Sequence, residues 1–181
     1  MKRKIALFIS RILVFYYRLR YFGRVQFGKN VIVNHKFKLC GPGTLLVGDN
    51  VNLWAHCEPN TFNFYDRQAF IKIGSGSRIN GVSCHCANSI EFGTNCLVGS
   101  CTLMDTDFHS FDSKKHILYG NQIIKPIQIA TGVWLAGQSV VLKGCKIGEH
   151  SVVGFRSVVA KNVPANVVVA GNPAKIIRGV N

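Results

Sequence analysis

Acidic residues are scarce in this chain of 181 residues: eight Asp and Glu stand against 22 Lys and Arg, a net charge of +14. Such an imbalance favours an anionic partner, which in principle is nucleic acid, an acidic membrane surface, or a phosphorylated cofactor or substrate. No recognisable nucleic-acid module and no single aromatic-basic platform is present, so nucleic acid is not expected. The seven cysteines are odd in number and contain no CxxC. Cys84-His85-Cys86 is the densest cluster, but it has no second ligand pair at zinc-site spacing, so no metal is expected. Free thiols point to a reducing, cytoplasmic compartment. Proline is also rare, five against 18 glycines, which fits a fold with many tight turns.

A long uninterrupted apolar run is missing as well. Residues 5–22 (IALFISRILVFYYRLRYF) come nearest, but the apolar run before Arg11 is short and lacks a small-residue cleavage site, which excludes a secretory signal. Arg11 and Arg18 interrupt it, which excludes a spanning helix. Lys4, Arg11 and Arg18 are seven apart, so on a helix they form one narrow basic stripe against an aromatic and aliphatic remainder. Residues 1–24 therefore read as an amphipathic helix that lies in a membrane interface, peripheral on the inner face of the cell membrane, or packs on a neighbouring subunit.

Beyond Gly23 the phrase apolar-x-apolar-Gly recurs: Val25-Gln-Phe27-Gly28, Leu45-Leu-Val47-Gly48, Ile71-Lys-Ile73-Gly74, Ile90-Glu-Phe92-Gly93 and Cys145-Lys-Ile147-Gly148, with Ile127-Gln-Ile129-Ala130 as a variant. A six-residue rhythm runs through them, for Ile129, Leu135, Val141, Ile147, Val153 and Val159 are each six apart. Four residues after each comes something small or β-branched: Val133, Ser139, Cys145, Ser151, Ser157 and Val163. A period of six is neither a helix nor an alternating strand. It marks an all-β solenoid, a parallel β-helix of about six coils in which three hexads close one coil. The apolar residue points inward and the small one fits the corner, a slot that also takes Cys57, Cys96 and Cys145, whose reading is core packing.

An ideal coil has 18 residues, so the distances between phrases locate insertions. Val47 to Ile73 spans 26, which expels a loop over 58–68, and Phe92 to Ile129 spans 37, which places a long insertion over 104–126. The domains expected are thus a helix over 1–24, a solenoid over 25–164 and a C-terminal segment over 165–181. Long loops on a rigid repeat tend to be functional. TLMDTDFHSFD, residues 102–112, carries His109 at the root of the larger one.

The closing stretch, from Gly132-Val-Trp134-Leu-Ala-Gly137 through Val168-Val-Ala-Gly171-Asn172-Pro173-Ala-Lys175-Ile-Ile-Arg178, is similar to the C-terminal pattern of one family. Over residues 25–178 the chain resembles the hexapeptide-repeat acyltransferases, in the branch of xenobiotic, galactoside and maltose acetyltransferases and O-acetyltransferases of bacterial surface polysaccharides. The resemblance implies a left-handed β-helix, a homotrimer with acyl-CoA sites between neighbouring prisms, acetyl-CoA as donor and a saccharide acceptor. It assigns the general base to His109. Physical reasoning supports that role independently: acyl transfer to a hydroxyl needs a proton removed as the bond forms, and an imidazole can take it and return it to the leaving thiolate. Asp105 or Asp107 would hold the ring tautomer. His85, on the coil beneath, would reach the acceptor pocket, whereas His35, His56, His116 and His150 read as surface residues. Carried over from the family, Trp134, Gly137, Phe155, Ala160, Lys161, Lys175 and Arg178 would bind the cofactor. Phe155 is a departure, since relatives have a small residue there, and Ala160 replaces a frequent Thr.

Direct O-acetylation of a sugar hydroxyl in surface-polysaccharide or glycolipid synthesis is the leading expectation. N-acetylation of an amino-sugar nucleotide uses the same base and donor. A β-helical carbonic anhydrase would need three zinc histidines, for which His85, His109 and His116 are the close-set set, and it fits the C-terminal motif worse. A non-catalytic scaffold is the third alternative.

Overall fold

A computed structural model describes residues 2–110, 114 and 122–180, with the backbone alone for 2–4. Helix α1, Lys2–Arg20, leads into six coils of three short strands each. The first coil holds β1 Val25–Phe27, β2 Ile32–Val33 and β3 Phe37–Cys40; the second holds β4 Thr44–Val47, β5 Asn52–Leu53 and β6 Asn60–Phe64. Then come β7 Phe70–Ile73, β8 Arg78–Ile79 and β9 Ser83–Cys86, followed by β10 Ser89–Phe92, β11 Leu97–Val98 and β12 Thr102–Met104. The fifth coil is β13 Ile127–Ile129, β14 Trp134–Leu135 and β15 Val140–Leu142; the sixth is β16 Lys146–Ile147, β17 Val152–Val153 and β18 Val158–Val159. Strand β19, Val167–Gly171, continues the second face, and β20, Ala174–Gly179, folds back antiparallel on it. Strands stack in parallel into three sheets, one per face of a prism.

Inward columns form the core. On the first face Phe27, Val47, Ile73, Phe92, Ile129 and Ile147 stack; on the third, Leu39, Phe62, Cys84, Leu103, Val141 and Val159 do. All are buried. The six-residue rhythm is therefore the inward column read along the chain.

The glycine of the repeated phrase has a steric cause. At the corner after the first face, a Cβ on Gly74 would lie 2.4 Å from the Gly93 carbonyl carbon, and one on Gly93 would lie 2.6 Å from the Thr131 nitrogen. Two residues on, the corner needs a left-handed backbone, supplied by Asn30, Asn50, Gly76, Asn95, Gly132 and His150. Asn tolerates that region best among residues with side chains. His150 is thereby an exposed corner residue, and His35 and His56 are exposed too; His116 lies outside the described residues.

Two expectations need correction. Cys57 is exposed, whereas Cys96 and Cys145 are buried as expected. The stacked slot on the third face passes instead through Asn60, Val82, Cys101 and Ser139, all buried. Asn60 fills it by bonding backbone: its Nδ2 donates to Leu53 O at 2.8 Å and its Oδ1 accepts from Gly81 N and Val82 N at 2.7 and 3.1 Å. The extra residues of the second coil do not form one loop over 58–68 either. β6 occupies part of that range, and the surplus divides between the corners on either side of it.

The first coil leaves a free strand edge on all three faces, and α1 covers it. Ser10 Oγ donates to Val33 O at 3.0 Å and accepts from Val33 N at 2.9 Å, Tyr17 OH donates to Asn34 O at 3.1 Å, and Arg18 donates to Phe27 O at 2.7 Å. Tyr17 and Tyr21 also pack their rings against Phe37. Among the described residues no helix is long and apolar enough to cross a membrane. Gly74→Val is expected to lower the unfolding free energy by about 2 kcal/mol or more, because backbone rather than a pliable side chain blocks the new Cβ. Gly23→Ala, with open space but a left-handed backbone, should cost only about 1 kcal/mol; urea denaturation of both variants measures the difference.

Candidate active site

The fourth coil does not turn directly into the fifth. After β12 the chain leaves the corner between the third and first faces, and it returns beside itself as an antiparallel pair. Thr106 bridges Ile124, Asp107 N donates to Ile123 O at 3.3 Å, and Lys125 N donates to Asp105 O at 2.9 Å. The returning arm is bonded upward in turn, Gly144 N donating to Lys125 O at 3.1 Å. His109 therefore stands two residues beyond a root clamped on both sides. Phe108, in the left-handed region at φ 61°, donates its N–H to Thr106 Oγ1 and accepts from Gln122 Nε2 at 2.6 Å. The His109 side chain is exposed, and residues 111–113 and 115–121 of the insertion lie outside the described residues.

Neither expected carboxylate holds the His109 ring. Asp105 is fully buried and accepts from Ala87 N at 2.7 Å and Asn88 N at 2.8 Å, capping the same corner one coil below. Burial raises its pKa, and those two N–H groups hold part of the rise back. Asp107 forms an ion pair with Lys143, and its second oxygen is buried without a partner among the described residues. Asp105 is thus a structural cap, and Asp107 fixes the loop root to the coil above.

His85 does sit directly beneath, in register with Met104 on the neighbouring strand. Both its ring nitrogens are engaged, Nδ1 with Tyr65 OH at 2.8 Å and Nε2 with Ser83 Oγ at 3.1 Å. Burial lowers its pKa, since the charged form would lose solvent. The Phe108 ring packs edge-on to both Tyr65 and His85, with centroids 5.0 and 5.8 Å away. Sequence reasoning missed Tyr65, Phe108, Ser83 and Lys143. Only the outward alternation of β9 pointed to Ser83, and nothing in the local pattern pointed to the other three.

The residues expected to bind cofactor fall into two groups. Ala160 and Lys161 are exposed at the corner from which the insertion leaves, two coils higher, and continuing the register puts Lys143 and then Lys161 above Asp105 at the loop root. The rise is about 10 Å at the usual strand spacing. The other group surrounds the second face. Trp134, 47% exposed, shares a row with Val152, Val168 and Arg178. Phe155 lies over Gly137, where an added Cβ would come within 3.5 Å of its ring. Lys175, exposed on β20, pairs with Ala170. Trp134 also overlooks a shallow groove lined by Trp54, Arg78 and Leu97. A single prism keeps these two groups on different sides.

Among the described residues no group of three or more His, Cys, Asp or Glu side chains is arranged for a metal. Burial raises the pKa of Cys84, Cys86, Cys96, Cys101 and Cys145, which makes these core thiols poor nucleophiles.

No family model matches the chain. It is 32% identical over 160 residues to the putative colanic acid biosynthesis acetyltransferase WcaF of Escherichia coli K12, covering 88% of this chain and 71% of that protein. The galactoside O-acetyltransferase of Lactococcus lactis is 37% identical over 94 residues, 51% of this chain and 44% of its own. A hexapeptide-repeat acetyltransferase of Vibrio cholerae, solved with acetyl coenzyme A, superposes with a TM-score of 0.66 at 26% identity, over 98% of this chain and 84% of that one. The polysialic acid O-acetyltransferase OatWY superposes at 0.69 with 25% identity, over 86% and 74%. The chain belongs to the hexapeptide-repeat acetyltransferases, and its solenoid is their left-handed β-helix.

The lowered His85 pKa has a consequence for stability. Between its folded value and the ordinary histidine range near 6.5, the unfolded chain binds a proton that the folded one refuses. The contribution is complete above about pH 6.5 and is lost as pH falls through the folded value. His85→Gln should remove that part of the acid sensitivity, so the wild-type advantage in urea midpoint should shrink between pH 7 and pH 5.

Proposed function

We propose that the protein transfers an acetyl group from acetyl-CoA to a sugar hydroxyl, in surface-polysaccharide or glycolipid synthesis, with His109 as general base. One observation carries the reading: an exposed histidine just beyond a clamped loop root that Lys143 ties down through Asp107, next to a polar-aromatic surface made by His85, Tyr65 and Phe108. The acceptor hydroxyl attacks the thioester carbonyl carbon while a His109 ring nitrogen takes its proton. The tetrahedral adduct then collapses, the C–S bond breaks, and the proton passes from the imidazolium to the thiolate sulfur. No acyl-enzyme forms. His85 and Tyr65 form the acceptor floor. His85, kept neutral by burial, orients the Tyr65 hydroxyl rather than competing for the proton.

Lys143 and Lys161 suit the anionic donor, and so do Lys175 and Arg178. Acetyl-CoA would meet His109, Ala160 and Lys161 on one wall and Trp134, Gly137, Phe155, Lys175 and Arg178 on the other. Because one prism separates those walls, the site closes only between two protomers, which supports the homotrimer.

His109→Ala is expected to reduce kcat by about 10² to 10⁴-fold with unchanged thermal unfolding, measured as acetyl-CoA turnover over a panel of hydroxyl and amino sugars. Turnover with amines alone would replace O-transfer by N-transfer, an unaffected variant would remove His109 as the general base, and no wild-type turnover with any acceptor would leave a non-catalytic solenoid. Mixing inactive His109→Ala chains with inactive Trp134→Ala chains by co-refolding should restore roughly a quarter of wild-type sites if the walls come from different subunits. No recovery would place both walls on one chain.

A further inference from the structure

Helix α1 closes the lower end of the prism, and its other side faces away from the protein. Ile5, Phe8, Ile9, Ile12, Phe15, Tyr16, Leu19 and Phe22 are all at least 40% exposed, and Phe22 reaches 88%. At 3.6 residues per turn the seven that lie within α1 fall in one stripe about 120° wide, and Phe22 follows two residues past its end. The buried Ser10, Tyr17 and Tyr21 lie on the opposite side. Arg11 and Arg18 flank the stripe on one margin and Arg20 on the other, all three exposed. Because α1 bonds to strand edges of more than one face of the first coil, the stripe points along the prism axis. It turns away from the lateral faces against which a side-by-side subunit would pack.

The charge pattern selects the occupant. Residues 1–48 contain ten Lys and Arg and no Asp or Glu, the first acid being Asp49. A second copy docked end to end would bring two such sets together with no carboxylate between them, and like charges at close range repel. An anionic lipid surface meets both demands, taking the aromatic stripe among its acyl chains and the arginines at its phosphates. We propose that the outer stripe of α1 lies in the interface of an anionic bilayer and stands the solenoid upright on it. His109 then sits three coils above the first, about 14 Å up, within the aqueous layer next to the membrane.

The test uses full-length protein floated with phosphatidylcholine vesicles, with and without phosphatidylglycerol. Phe8→Ser, Phe15→Ser and Leu19→Ser combined change only exposed positions, so the fold should persist by circular dichroism. Wild type should float with the anionic vesicles, and the triple variant should bind about tenfold less or weaker. Omitting phosphatidylglycerol, adding high salt, or combining Arg11→Gln with Arg20→Gln should also weaken binding about tenfold. Equal flotation of wild type and triple variant would overturn the proposal. So would no flotation of the wild type, or a doubled mass by light scattering that the triple variant abolishes, which would make a second copy the occupant. Turnover with a soluble sugar should be the same in the triple variant, so loss of docking and failure of the acyl-transfer reading remain distinguishable.

Discussion

Backbone hydrogen bonding between successive coils sets a rung spacing of about 4.8 Å, and the rest of the molecule answers to it. Where the first face turns into the second, that spacing leaves no room for a Cβ at five of the six rungs, so Gly28, Gly48, Gly74, Gly93 and Gly148 recur at the corner, and only Ala130 carries one. The same spacing stacks like positions into continuous apolar columns, which is why a small residue and a large one alternate along the chain. It also creates a problem at each end, since the last rung has unpaired backbone. Helix α1 covers one end, while β20 folds back on β19 near the other.

Rigidity of this kind is what a loop histidine needs. The insertion is paired to itself at its root, bonded to the coil above through Lys125 and Gly144, and tied by the ion pair of Asp107 with Lys143. Asp105 secures the corner below by capping Ala87 and Asn88. The two acids that precede the histidine in sequence thus hold the platform, and neither bonds to the ring among the described residues. A buried carboxylate next to backbone N–H donors is more stably used there than beside an exposed imidazole. The general base proposed here would work without a carboxylate partner from its own loop root.

Much of the fold was legible in the chain because a solenoid converts packing into period. Six coils, the inward positions from Ile129 to Val159 and the slot residues Cys96 and Cys145 follow from counting. Counting failed where a coil departs from 18 residues. Cys57 was placed in the core by its distance from Leu53, yet the extra residues at that corner carry it outside and Asn60 serves in its place. Likewise one loop over 58–68 became two smaller corners around β6, since arithmetic gives the surplus but not its division. The position of His109 at an insertion root survived because a long excursion is conspicuous in any regular repeat.

By itself, then, the sequence determined the solenoid, its number of coils, the helix before it and the histidine at the break, because each leaves a mark along one dimension. Tertiary structure alone decided that Tyr65, His85 and Phe108, far apart in the chain, meet at one surface. It alone decided that the residues expected to bind the donor stand on two sides of the prism, and that one side of α1 bonds to the first coil while its apolar side is left exposed. These are consequences of stacking and of face direction. Periodicity records which residues recur, whereas neighbours across coils depend on register, and register is set only when the coils close on one another.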